Sequence, residues 1–333
     1  MEIKLGFGSI QGSAAGPIAP AVPLDESLLY DVIIAGAGPA GLTAAVYCLR
    51  KGLRTGIIAT DIGGQLNETW DIENYMGSRH IEGSALTEKF REHAASYPLQ
   101  MITGAGVASI SDGPEKKIIL DDGKIFRART LILATGKTAR KLKVPGEKEL
   151  TGRGVAYCAT CDAPLFRDKK VAVAGGGNSG LEAVLNLAGL ASGVTLIQFL
   201  DRLTADRILI DKLYGLKKVD VLLEHEILEI KGKGKVEAVT IKNRKTGAFH
   251  DIQIDGLFIE AGLVPNSGFA GDVLARNEQG EIEIDYACRT NRPGIFAAGD
   301  VTGVPYKQII IAAGEGAKAA LSASDYLMMN IPT

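Results

Sequence analysis

The sequence predicts an α/β protein: two Rossmann-like nucleotide-binding domains of three-layer ββα build, the second inserted into the first. Three observations carry that expectation. Gly36-Ala37-Gly38-Pro39-Ala40-Gly41 and Gly175-Gly176-Gly177-Asn178-Ser179-Gly180 each follow a short apolar strand and open a helix, and Cys158-Ala159-Thr160-Cys161 lies between them. In that context the glycines permit a tight turn and let backbone amides approach a pyrophosphate. Two dinucleotide loops around one dithiol imply an electron relay.

Residues 1–29, rich in Gly, Ala and Pro, read as a loose N-terminal arm. The first domain begins at 30–35, a buried parallel strand, followed by a helix over 40–50 whose N-terminus faces the phosphates. A second strand over 53–59 leads into loops carrying Gly63-Gly64-Gln65-Leu66 and Glu73-Asn74-Tyr75-Met76-Gly77, a composition that suits close approach to a flat cofactor. Residues 118–120 and 124–128, separated by Asp121-Asp122-Gly123, form a hairpin. The apolar run 130–134, ending in Thr135-Gly136, closes this first part at 138.

The inserted domain, 139–268, repeats the plan with a strand over 169–174, a helix over 181–190 and a strand over 194–199. Residues 269–333 return to the first domain. There a short strand at 294–300 delivers Gly299 and Asp300 to the carboxyl edge of the sheet, and a helix follows from about 308 to 328. The chain is expected to cross between domains near 136–140 and 266–271.

Composition excludes several classes. With 46% apolar and 23% charged residues the chain is ordinary globular material, and 333 residues call for two domains. A net charge of -2 without a Lys/Arg run argues against a nucleic-acid partner. No apolar run approaches the roughly 20 residues of a membrane span, so a soluble, cytoplasmic protein is expected. Four cysteines do not make a secreted disulfide framework, and Cys48 and Cys288 read as small buried hydrophobes. Zinc is disfavoured at Cys158 and Cys161, because there is no second Cys-x-x-Cys and His80, His93, His225 and His250 form no ligand pattern. The pair suits exchange instead: thiolate attack closes a small ring while one sulfur stays accessible. Asp162 follows directly and can shuttle the proton a departing thiolate needs.

In the order and spacing of these motifs the chain resembles the low-molecular-weight thioredoxin reductases and the reductase portion of the alkyl hydroperoxide reductase flavoprotein, from Tyr30 onward. The resemblance implies FAD held around Gly36, Gly38, Pro39, Ala40, Gly41, Gly64, Gln65, Leu66, Asn74, Ala134, Thr135, Gly136, Gly299, Asp300, Lys307, Gln308 and Ile309. A nicotinamide nucleotide would lie against Gly175, Gly177, Asn178, Ser179 and Gly180. By position Cys161 is the flavin-proximal sulfur, Cys158 the interchange thiol and Asp162 the proton donor or acceptor. The family also rotates its two domains, which fits two narrow crossings.

One departure bears on the donor. NADPH-specific relatives carry His-Arg-Arg-x-x-x-Arg after the second strand of the inserted domain, where guanidinium forks grip the 2′-phosphate. Those places are Gln198, Phe199, Leu200 and Thr204 here. NADH is therefore expected, with the Gln198 amide bonding the ribose 2′-hydroxyl. A ferredoxin-type donor stays open. So do a dithiol oxidase using oxygen and a flavin-binding redox sensor. The expected acceptor is thioredoxin or a glutaredoxin-like carrier feeding a peroxiredoxin, reduced by a homodimer. Since only the arm 1–29 stands where peroxide-reductase relatives carry a thioredoxin-like domain, the carrier is expected to be a separate protein.

Overall fold

The computed structural model describes residues 22–69 and 71–330. Two sheets organise the chain, the first mixed, with Lys116–Leu120 antiparallel to both its neighbours, and the second parallel. In the first the strand order is Gln100–Thr103, Thr55–Ile62, Leu29–Ala37, Ile125–Leu133, Lys116–Leu120 and Val107–Ser111. The late strand Ile295–Ala297 also pairs with Ile125–Leu133, so the chain returns to its first domain near its end. The second sheet, Val155–Ala156, Gly256–Ile259, Lys170–Ala174, Gly193–Ile197 and Val219–Leu222, is parallel throughout and built from the insertion alone. A three-stranded antiparallel sheet, His225–Lys231, Ala238–Asn243 and Phe249–Gln253, joins it.

Leu29–Ala37 is buried along almost its whole length, as a central parallel strand rich in Val and Ile should be. It turns through Gly36 and Gly38 into the helix Pro39–Arg50, with proline at the first position, where its missing N–H costs nothing. That helix stops in a Schellman arrangement: Gly52, at φ +74°, donates to Leu49 O at 2.9 Å and Leu53 donates to Cys48 O at 3.2 Å. The helix Ile309–Met329 packs along it closely, Gly316 facing the Ala40 carbonyl without a side chain between.

Of the expected loose arm, residues 1–21 lie outside the described residues. Residues 22–29 are docked rather than loose. Val22 bridges to Gln100, and Met101 N donates to Val22 O at 2.9 Å. Leu24 is buried over Gly56, where a methyl group would come within 2.6 Å of Leu24 Cδ2. An apolar side chain seated in a glycine-made hollow holds this stretch down.

The chain crosses between domains on two short strands, Lys137–Ala139 and Leu263–Pro265, which pair antiparallel with each other. The return crossing therefore lies a few residues earlier than 266–271. Asn266 locks the junction: its Nδ2 donates to Thr135 O at 2.8 Å, while Thr135 Oγ1 donates to Asn266 O at 2.7 Å.

Candidate active site

The two glycine loops have the same geometry. Gly36 sits at φ +109° with a virtual Cβ 2.2 Å from Ala134 O, and Gly175 sits at φ +123° with a virtual Cβ 2.4 Å from Glu260 O. Only glycine tolerates both the backbone angle and the contact. Each following helix is capped by a glycine, Gly38 or Gly177, without a side-chain cap bond, so no side chain competes for the first-turn N–H groups.

Around the first loop the structure gathers the residues singled out in the sequence from distant segments. Gly63 N donates to Ala37 O at 2.9 Å, which brings Gly64 and Gln65 over the turn. Gln65 Nε2 donates to Asp300 Oδ2 at 3.1 Å, and Asn74 Nδ2 donates to Gln308 Oε1 at 3.1 Å. Gln308 caps the helix that begins at Ile309. Gly299 N donates to the buried Glu315 Oε2 at 2.9 Å. Leu66 turns its side chain into a core cluster with Ile72, Ile81 and Leu86, leaving only its backbone for a ligand.

Beside these residues lies a charged triad in which Lys307 was expected from the sequence and Lys137 and Glu281 were not. Glu281 takes Lys307 Nζ at 3.2 Å and also pairs with Lys137, all three side chains being largely buried. Burial raises the Glu281 carboxyl, but bonds from Lys137, Asn277 and Lys307 outweigh it and hold it low. The Lys307 ammonium is pushed down by burial and then by Lys137. Burial raises Asp300, against the pull of Lys307 and Gln65. Lys137 follows Thr135-Gly136 directly, and that proximity was the one available signal.

The second loop is tied to the segment 198–206. Gln198 is 6% exposed, and each end of its amide bonds its own chain: Oε1 accepts from Gly176 N at 3.1 Å and Nε2 donates to Arg202 O at 3.0 Å. A buried amide must find partners inside the fold, and here it clips the glycine loop to the following segment. Asn178 is likewise tied to Asp206, by Nδ2 to Oδ2 at 3.0 Å and by Asp206 N to Oδ1 at 2.7 Å. Arg202 and Arg207 are exposed and paired with Asp201 and Asp211.

Cys158 and Cys161 form a disulfide, Cα atoms 5.3 Å apart. Cys158 caps the short helix Ala159–Asp162, its Sγ accepting from Cys161 N at 3.2 Å. Asp162 is buried on the same turn, with its N donating to Cys158 O at 3.0 Å. This helix packs on Asn178–Ala188 of the insertion and touches the strand Asp71–Ile72 of the first domain. Lys141 bridges the domains too, reaching Glu68 Oε1 at 2.9 Å. Cys48 and Cys288 are fully buried, and burial pushes their thiols up to about 12 and about 11.

A dithiol flanked along the chain by two dinucleotide loops, and packed on the helix of the second, defines a disulfide oxidoreductase of the nucleotide-dependent class. The family model for pyridine nucleotide-disulphide oxidoreductases matches residues 30–317, and the chain belongs to that family. It is 46% identical over 310 residues to an Escherichia coli (strain K12) subunit of alkyl hydroperoxide reductase, covering 92% of this chain and 60% of that one. The chain thus spans about three fifths of that relative's length. Among solved structures it is similar to thioredoxin reductase from Streptococcus pyogenes MGAS5005, at TM-score 0.86 and 40% identity, covering 90% and 99% of the two chains. Thioredoxin reductase from Lactococcus lactis, described in the FR conformation, is 39% identical with the same coverage but a TM-score of 0.61.

Membership implies FAD and a pyridine nucleotide. The residues fit such groups: each loop presents bare backbone where a Cβ would collide, and the first adds the polar pairs Gln65–Asp300 and Asn74–Gln308.

Proposed function

We propose that this chain is an FAD-dependent disulfide reductase of the thioredoxin reductase type, taking electrons from NADH and delivering them to thioredoxin, a glutaredoxin-like protein or a peroxiredoxin-linked carrier. The observation that carries the reading is the Cys158–Cys161 disulfide on a helix that packs against the second glycine loop's helix and reaches the first domain. We take 30–138 and 269–333 as the FAD part and 139–268 as the nicotinamide part, in a cytoplasmic homodimer.

FAD, when bound, accepts a hydride and releases two electrons to a disulfide. The residues around it do the rest. Gly36, Gly38, Pro39, Ala40 and Gly41 leave room for the pyrophosphate at the helix N-terminus, while Gln65, Asn74, Asp300, Lys307 and Gln308 supply polar contacts. Gly175, Gly177, Ser179 and Gly180 do the same for the nicotinamide nucleotide, and the absence of a cation at 198, 199, 200 and 204 favours NADH. Cys161 receives the electron pair. Cys158, as thiolate, attacks the partner's disulfide and forms a mixed disulfide, which Cys161 then resolves, restoring the Cys158–Cys161 bond and releasing the reduced partner. Asp162 holds the proton that passes to the leaving sulfur.

A turn of the insertion about the paired strands Lys137–Ala139 and Leu263–Pro265 would exchange dithiol and nicotinamide before the flavin. The fall in TM-score between two relatives of nearly equal identity supports such a motion. Anaerobic titration of the yellow protein with NADH and NADPH in parallel tests the donor. Bleaching by NADPH at far lower concentration than NADH would overturn it.

A further inference from the structure

The two modules of the chain are alike down to the residue that closes each glycine loop, with one chemical difference. Ala134 N donates to Ala35 O at 2.7 Å in the first, and Glu260 N donates to Ala174 O at 2.9 Å in the second. Each carbonyl then meets the glycine that opens its loop, Gly36 or Gly175. Where one module carries a methyl group, the other carries an acid.

That acid reaches two working parts at once. Glu260 Oε1 accepts from Ala159 N, the residue after Cys158, at 3.4 Å, and the Ser179 hydroxyl of the nicotinamide loop lies near enough to favour the charged form of the same carboxyl. From the helix Asn178–Ala188 it faces Ser179 and the carboxylate of Glu182, and from the redox helix the Ala159 amide, with Cys158, Cys161 and Asp162 on that turn. Among the described residues no lysine or arginine pairs with it. Burial pushes its carboxyl up to about 7, against the Ala159 amide and the Ser179 hydroxyl and with added repulsion from Glu182.

Resting on the dithiol reading above, we infer that Glu260 is a positioning residue of the Cys158–Cys161 couple that binds a proton when the disulfide is reduced. The balance is direct. Two electrons from a reduced dithiol or from the flavin break the S–S bond, one proton gives a thiol and a thiolate, and the new negative charge nearby draws a second proton onto the Glu260 carboxylate. On reoxidation the bond reforms, the electron pair leaves to the partner disulfide, and both protons are released.

The test is equilibration of the full flavin-loaded chain with dithiothreitol redox buffers from pH 5.5 to 8.5, scoring alkylation of Cys158 and Cys161 in wild type and E260Q. The two proteins should be equally reducible at pH 5.5. At pH 8.5 the wild type should be harder to reduce by about fivefold or more, since each unit by which reduction raises the carboxyl's proton affinity is tenfold. E260A, which copies Ala134, must behave as E260Q does, and it keeps the test alive should the glutamine variant not fold. A wild-type to variant ratio that stays constant across this range overturns the inference alone. Cysteines that never exchange with the buffer overturn the dithiol reading and this inference together.

Discussion

Replacing Glu260 by glutamine should also change how the stability of the oxidised protein responds to pH, and the size follows from its surroundings. Burial lifts this carboxyl from 4.5 to about 7. Below pH 4.5 folded and unfolded chains both hold the proton, and the neutral acid's advantage in the fold is fully present. As pH rises, the unfolded chain releases its proton first, so stability drains by about 1.4 kcal/mol per unit until the folded acid ionises too. The loss ends above pH 7 at about 3 kcal/mol, most of it between pH 5 and 8. Glutamine stays neutral and loses nothing. Urea unfolding at those two pH values measures the effect: the wild-type midpoint should fall by about 1 M more than that of E260Q, given slopes of about 2–3 kcal/mol per molar. Midpoints that move in parallel would refute the argument, because they would mean that the acid is as well solvated in the fold as out of it.

Three further outcomes follow from the geometry. C158S and C161S should each abolish NADH-dependent reduction of a partner disulfide while keeping the yellow cofactor, a split read by turnover and by flavin absorbance. Gly41→Ala places a methyl 1.9 Å from Gly36 O and should strip the flavin, whereas Gly52→Ala meets nothing within 4 Å and should cost about 1 kcal/mol in thermal unfolding for its positive φ alone. Glu281→Gln leaves Lys137 and Lys307 buried without their counter-charge and should lower stability by about 3 kcal/mol, seen as a depressed Tm.

What could be read in advance was what backbone sterics impose. Gly36, Gly41, Gly175 and Gly180 stand where a Cβ would strike a carbonyl, so the loops announce themselves in sequence as a pattern of omissions. The Cys158–Cys161 spacing is local in the same way. Contacts between distant segments left no such trace: Lys137 and Glu281 are 144 residues apart, and nothing in either neighbourhood points to the other. The place of Gln198 at the end of a strand is visible in sequence, while the Gly176 and Arg202 groups that bond its amide are not. The antiparallel sheet at 225–253 carried no motif, and no strands were assigned there. Glu260 had a signal that went unused: laying Glu260-Ala261-Gly262 over Ala134-Thr135-Gly136 exposes an acid in place of an alanine.

The pairing of Lys137–Ala139 with Leu263–Pro265 has an architectural consequence. Arg140 N donates to Gly262 O at 2.9 Å, so the doorway by which the chain leaves its first domain is also the one by which it returns. The 140–262 segment is a cassette whose ends lie side by side, and excising it would leave a gap that a short splice closes without disturbing the parent sheet. The same doorway would admit any other unit with adjoining ends, which makes this ribbon the place to graft a new reader onto an old flavin scaffold.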